Sequence, residues 1–210
     1  MKVGAWMEKL LIVGASGHGK VIADIALATK RYKEIVFVDD DETISECMGF
    51  SVVGKVCDLQ RFVSEYDMIV AIDNAATRQR IMDEITSMNG NVATLIHPRA
   101  VVSTYAAVGE GTVVMPGAVI NADAVVGRGC IINTSASIDH DCKIGDYAHI
   151  SVGAHLAGTV TIGEKTWVGI GAVVSNNLQV CESCMIGAGA VVVSDITVPG
   201  TYVGVPARLH

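Results

Sequence analysis

No apolar run in this chain of 210 residues approaches the roughly 18 consecutive residues that a membrane span requires, although 50% of it is hydrophobic. The most tempting stretch, Val21 to Ala28, is short and interrupted by Asp24, so membrane insertion is not expected. Met1 to Lys9 carries a lysine near each end and a tryptophan, but no apolar core ahead of a cleavage site. It does not read as a secretory signal, and a cytoplasmic location is the default expectation. Basic residues are in deficit, 15 against 22 acidic, giving a formal net charge of −7. Nucleic acid is therefore a poor match for the surface as a whole, whereas a small phosphate ligand needs only local donors. The six cysteines lack the spacing of a disulfide framework or a metal site.

What the chain has in abundance is a period of six. From Val102 to Val198 an aliphatic residue recurs at every sixth position, and two places before most of them stands a small residue, as at Ala118, Cys130, Ala136, Cys142, Ala154 and Cys184. Neither a helix nor an ordinary strand repeats at six. A coil with three short flat faces does, each face sending one large and one small side chain into a narrow triangular core. Three faces give 18 residues per coil and a little over five coils, stacked at the usual strand spacing of roughly 4.8 Å into a prism about 25 Å long. Val113, Val119, Val125 and Ile131 fall in the outward corner phase, and apolar surface of that kind is expected to be covered by other copies of the chain.

Before residue 97 the pattern changes. Leu10 to Val13 reads as a buried strand leading into Gly14-Ala15-Ser16-Gly17-His18-Gly19, followed by a helix with Val21, Ile22, Ile25 and Ala28 on one side. Strands are expected from Ile35 to Val38, closing on Asp39-Asp40-Asp41, from Met68 to Ile72, closing on Asp73-Asn74, and from Asn91 to Ile96, with a helix from Ala75 to Met88. Alternating strands and helices imply a small Rossmann-like parallel sheet with ligand groups at the C-terminal strand ends. His97-Pro98 marks the break, giving an α/β domain over 1–97 and a coil domain over 98–210.

The glycine-rich turn leaves backbone N–H groups at a helix start, where a diphosphate can sit. Its spacing is not G-x-G-x-x-G. A nicotinamide reading would take Asp39 as the acid on the adenosine ribose, but fewer than 100 residues leave little room for a complete dinucleotide fold. Ser16, Gly17, His18, Asp39, Asp40 and Asp73 are the candidate nucleotide contacts. The plainer alternative is a tight turn beside a solvated acidic loop.

On the coil, the densest polar patch runs from Asn133 to Cys142. Ile138 and Cys142 point inward by phase, so His140, midway between them, points outward between Asp139 and Asp141. An imidazole hydrogen-bonded to a carboxylate through one nitrogen is a candidate general base through the other. His149 lies half a coil on and projects from a different side. The two histidines are not expected to meet within one prism, but can meet across the groove between two neighbours. No metal is expected, because Cys130 and Cys142 point into the core while His140 points out. His155 reads as peripheral. A solvated or interface histidine remains the plainer reading of His140.

The hexads, the glycine-rich turn, Phe37-Val38-Asp39-Asp40, Leu95-Ile96-His97, Met115-Pro116, Ile132-Asn133-Thr134, Asp139-His140-Asp141-Cys142, Val152-Gly153-Ala154 and Val203-Gly204-Val205-Pro206-Ala207 together resemble the hexapeptide-repeat nucleotide-sugar acetyltransferases of the PglD/NeuD type, over nearly the whole chain. The resemblance implies a left-handed parallel β-helix, a homotrimer with active sites between subunits, acetyl-coenzyme A as cosubstrate, a nucleotide-linked amino sugar as acceptor and a place in glycan biosynthesis. It assigns His140 as the base, Asp141 as the acid that strengthens it, and Asn133 to the lining of the site. It puts His149 at the acetyl end, the Gly158 N–H at the thioester carbonyl, and Ile170 and Ala188 along the coenzyme path. Gly158 also follows His140 by 18 residues, so the repeat independently puts it one coil away on the same edge.

The chain departs from the family at Asp73, where relatives often carry glycine, and at Asp141, where some carry glutamate. The acceptor expected is a UDP-, dTDP- or GDP-linked 4-amino-6-deoxy sugar. The alternatives are O-acetylation of a sialic acid or related sugar, and a non-enzymatic scaffold built on the coil.

Overall fold

In the computed structural model, which describes residues 8–210, the chain falls into two compact units that divide between Leu95 and Ile96. Residues 1–7, and with them most of the Met1–Lys9 segment, lie outside the described residues. The division comes two residues before the expected break at His97-Pro98. Its cause is that the stretch read as one strand from Asn91 to Ile96 is two: Asn91–Val92 completes the N-terminal sheet, whereas Leu95–Ile96 pairs into the first solenoid sheet, so the division falls within that short strand.

The N-terminal unit is built on a four-stranded parallel sheet. Its strands are β1 (Lys9–Val13), β2 (Glu34–Val38), β5 (Asp67–Val70) and β6 (Asn91–Val92), in the order β2-β1-β5-β6. A small hairpin, β3 (Glu46–Cys47) and β4 (Phe50–Ser51), and a 3-10 turn over Val56–Arg61 intervene without having been foreseen. Leu10 to Val13 are wholly buried, as a parallel strand covered on both faces must be. Helix α1 (Gly17–Thr29) buries Ile22, Ala23, Ile25 and Ala26. Val21 is exposed, so the buried stripe is rotated from the one expected. Helix α2 (Ala75–Ser87) is capped by Asn74, whose side chain accepts from the Thr77 N–H at 2.9 Å. Because β2 and β5 flank β1 on opposite sides, the turn after β1 lies at the point where strand order reverses, the place where such sheets leave a ligand crevice.

The second unit is a parallel β-solenoid of about six coils. Its strands are two residues long and pair with partners 18 positions on, for example Ile131↔His149↔Trp167 and Ser137↔His155↔Val173. They form three faces, named here for His149, His155 and Lys143. The large and small inward phases from Thr112 to Val192 make one continuous buried core, Cys130, Cys142 and Cys184 included. A left-handed backbone residue stands at every sixth position from Gly111 to Gly189, turning the chain through each corner. Eight of these positions carry a side chain, Asp141 (φ 59°) among them.

Two expectations need correction. Val198 is 57% exposed. Val180 bridges Ile196 and Ile186 pairs with Tyr202, so the last coil is two residues short and Ile196 takes the inward place. Val113 and Ile131 are buried within the chain itself, Val119 is half-buried, and of the four only Val125 is exposed. The exposed aliphatic surface lies instead at residues such as Val101, Val152 and Ile170.

Candidate active site

His140 and Asp141 occupy the corner between the His155 face and the Lys143 face, after Ile138 has turned inward. The left-handed backbone at Asp141 folds its carboxylate back on the preceding residue, and His140 Nδ1 lies 2.7 Å from Asp141 Oδ2. An ionised carboxylate only accepts, so Nδ1 carries the proton and Nε2 keeps a lone pair. The Asp141 hydrogen bond, with the charge of Asp139, holds the imidazole above its ordinary pKa of 6.5. Asp139 Oδ1 accepts from the His140 backbone N–H and from Asn121 Nδ2, each at 2.8 Å. These two bonds pull the Asp139 carboxyl below its usual range. Asn121 is a residue that sequence reasoning missed. Its signal was available, because it precedes Asp139 by one coil of 18 residues.

Gly158 lies directly against the His140 ring. A methyl group added there would stand 2.6 Å from His140 Nε2 and 2.7 Å from Cε1, so glycine alone leaves the ring its place. The Gly158 carbonyl accepts from Asn177 and the His140 carbonyl from Thr159. The Gly158 N–H has no hydrogen-bond partner among the described residues. A lone pair on Nε2 and a free backbone donor one coil away can together take a proton from a nucleophile and hold a carbonyl oxygen as it gains charge.

His149 belongs to another face, and Asn133 stands at the corner that ends it. Their side chains meet at 3.1 Å between Asn133 Nδ2 and His149 Nε2. The His149 ring stacks on Trp167 with centroids 4.7 Å apart, and Trp167 Nε1 donates to Ser151 Oγ at 2.6 Å. One chain therefore separates two groups: His140, Asp141 and Gly158 on one corner, and His149 on the opposite face with Asn133 at that face's edge. Asn133 opens the corner between the His149 and His155 faces, the corner along which exposed Val152, Ile170 and Ala188 follow at 18-residue spacing.

In the N-terminal unit the glycine-rich turn is fixed by its neighbours. Gly14 has φ +108°, and its N–H donates to the Val38 carbonyl at 2.9 Å. Ser16 occupies the N-cap of α1 without a side-chain cap, and no acid lies in the first turn, which leaves the helix start open to an anion. Asp39 does not stand free as a ligand acceptor. Its two oxygens take the N–H groups of Ala15 at 2.7 Å and Asp41 at 2.9 Å. Asp40 accepts from the Val56 N–H at 3.0 Å. His18 Nε2 is buried without a hydrogen-bond partner. Burial holds the ring below the ordinary histidine pKa, with Asp73 opposing and Arg78 reinforcing that shift. Arg78 Nη1 in turn donates to the carbonyls of Ile72 and Asp73, so Asp73 shapes the turn through its backbone while its side chain stays exposed.

The PglD N-terminal domain family matches residues 9–85. The chain is similar to the acetyltransferase domain of PglB from Neisseria gonorrhoeae FA1090, with 41% identity over 97% of this chain and 100% of that one and a TM-score of 0.93; a second structure of that domain is a complex with acetyl coenzyme A. PerB from Caulobacter crescentus, solved with CoA and GDP-perosamine, is 34% identical over 96% of this chain and 97% of its own, with a TM-score of 0.92. Variants of that enzyme with one histidine replaced by asparagine or alanine were also solved with both ligands. A UDP-N-acetylbacillosamine N-acetyltransferase from Bacillus subtilis (strain 168) is 37% identical over 109 residues, and the match spans half the length of each protein.

Proposed function

The chain belongs to the PglD-type sugar acetyltransferases of the hexapeptide-repeat fold, and from that premise we propose that it transfers an acetyl group from acetyl-coenzyme A to the 4-amino group of a nucleotide-linked 4-amino-6-deoxy sugar. The observation that carries this reading is the His140 corner: Nδ1 bonded to Asp141 at 2.7 Å and Nε2 over Gly158. His140 Nε2 takes the proton from the amine as it attacks the thioester carbon. The Gly158 N–H donates to the carbonyl oxygen as its charge grows, and the imidazolium formed is held by Asp141 and Asp139; collapse of the tetrahedral adduct breaks the C–S bond, and the imidazolium returns its proton to the departing coenzyme A thiolate. No covalent enzyme intermediate is required, in keeping with the inward burial of Cys130, Cys142 and Cys184. Amine rather than hydroxyl transfer is favoured because the similar proteins named above are N-acetyltransferases or carry an amino-sugar ligand.

The glycine-rich turn is assigned to the diphosphate, with the N–H groups of Gly17 and His18 as donors and the His18 ring facing the acceptor. Asp39 and Asp40 hold the turn and the following loop, and their remaining acceptor capacity is assigned to the nucleotide. Asn133 and His149 complete the site from a second copy of the chain, so the active unit is a trimer with a mass close to three times 22.0 kDa. The test is to incubate the protein with acetyl-coenzyme A and a panel of UDP-, dTDP- and GDP-linked 4-amino sugars, then sialic acids, while following free thiol and product mass. Acetylation of at least one 4-amino sugar is expected. Acetylation of sialic acids alone would replace this reading with the O-acetyl one.

A further inference from the structure

Three cysteines hold the small inward place of their coils, and two of them are used alike. Cys130 Sγ donates to the Gly145 carbonyl and Cys142 Sγ to the Ala157 carbonyl, each at 3.2 Å and each to a residue 15 positions on. Cys184 breaks that pattern. The same count from Cys184 runs into the shortened last coil, and its carbonyl contacts are longer, 3.7 Å to Glu182 and 3.8 Å to Val198. Its nearer neighbour is a second thiol, with Cys181 Sγ 3.4 Å away.

The two residues span the corner between the Lys143 face and the His149 face, the one corner of the three that carries no residue assigned to acetyl transfer. One hydroxyl holds both backbones there. Thr166 Oγ1 donates to the Cys181 carbonyl at 2.7 Å and accepts from the Cys184 N–H at 3.0 Å. Cys181 is half-buried and Cys184 buried, so a reagent in solution meets Cys181 first. Burial, and then the hydrogen bond with Cys181, pushes the Cys184 thiol up to about 11. Cys184 therefore keeps its proton near neutral pH and acts second.

We propose that Cys181 and Cys184 form a reversible dithiol site that reacts with small-molecule disulfides, closing a bond between the two sulfurs. The Cys181 thiolate attacks one sulfur of the reagent, forms a mixed disulfide and releases the first reagent thiolate, which takes up the proton that Cys181 lost. Cys184 then gives up its proton, its sulfur attacks Cys181 Sγ, and the second half of the reagent leaves as a thiol. One reagent disulfide is thus reduced to two thiols while the two cysteines are oxidised to one disulfide. A thiol of high pKa is seldom ionised, but its thiolate is the stronger nucleophile, and here it starts in contact with its target. Exposed Cys57 has no second thiol against it among the described residues, so its reaction stops at the mixed disulfide. The site stands independently of the acetyl-transfer reading.

The experiment holds the reduced full chain with excess oxidised glutathione, alkylates the remaining thiols, and follows each cysteine-containing peptide by mass. In the wild type the peptide with Cys181 and Cys184 should lose two hydrogens and carry no glutathione, while Cys57 carries one. Dithiothreitol should reverse both changes. In Cys184→Ala, where alanine takes an inward place that Ala136 and Ala190 fill in other coils, Cys181 should keep its glutathione. In Cys181→Ser, Cys184 should react about tenfold more slowly than Cys181 does in the wild type, because its sulfur is buried and protonated. A wild type that ends with glutathione on Cys181, or with neither sulfur altered while Cys57 has reacted, overturns the proposal. So does a Cys184 that reacts as fast without Cys181.

Discussion

Two acidic pairs sit beside the two candidate ligand regions, and they are used in opposite ways. Asp39 and Asp40, at the end of β2, put three of their four oxygens on backbone N–H groups of Ala15, Asp41 and Val56. Asp139 and Asp141 flank a side chain that can gain a proton, and they raise its pKa. The first pair fixes loop shape. The second pair works through charge on an imidazole. Carboxylates next to a ligand region are thus not equivalent, and what separates these pairs is whether a backbone donor or a titrating side chain lies within reach.

The sharpest way to break this comparison, after removal of the base itself, is Gly158→Ala. The added methyl would meet His140 Nε2 at 2.6 Å, displacing the base and blocking the approach to the free N–H. Turnover should fall by about 100-fold, within the range for losing one oxyanion donor, with folding unchanged because the ring is exposed. A loss under threefold in steady-state assay would mean that the ring and this glycine do not act together.

Asp141→Asn should cost less, about tenfold, and should move a pH profile. His140 must be neutral to act, so kcat/KM rises as pH rises through its pKa, which in the wild type lies above 6.5 because of the Asp141 hydrogen bond and the Asp139 charge. Removing the Asp141 charge lowers that pKa and strips basicity from Nε2. The acidic limb of the profile should therefore shift to lower pH while the plateau drops. An unmoved limb would contradict the coupling. At the other pair no such shift is expected. Asp39→Ala frees the Ala15 and Asp41 N–H groups, which should lower stability by about 1–2 kcal/mol and weaken nucleotide-sugar binding, with acetyl-coenzyme A affinity unchanged by calorimetry. A fall in coenzyme affinity would reverse the roles of the two units.

The solenoid was legible because its core dictates residue size at fixed intervals: Ile138, Ile150 and Val174 can be placed inward from the sequence by counting. Counting also put His140 outward and Gly158 one coil on. It failed at Val198, since the last coil drops two residues and no side chain announces a slip in register. It failed again at Val113 and Ile131, where outward phase did not mean exposure. The backbone partners of the N-terminal acids were not legible for a related reason. That Asp39 faces strand ends follows from the alternation of elements, but which N–H groups its oxygens meet depends on the three-dimensional path of the Gly14–Gly19 turn. The Ser137–His155 contact, like Asn121–Asp139, follows from the 18-residue coil and could have been read by counting.

Whether His140 acts as general base is decided by the single-turnover rate of His140→Ala with acetyl-coenzyme A and the acceptor sugar both saturating, alongside calorimetric binding of each. The rate should drop by about 10²- to 10⁴-fold with both affinities within about threefold of wild type, because His140 is an exposed corner residue that no core contact depends on. If the variant keeps more than about a tenth of the wild-type rate, another group removes the proton and His140 is a solvated surface histidine.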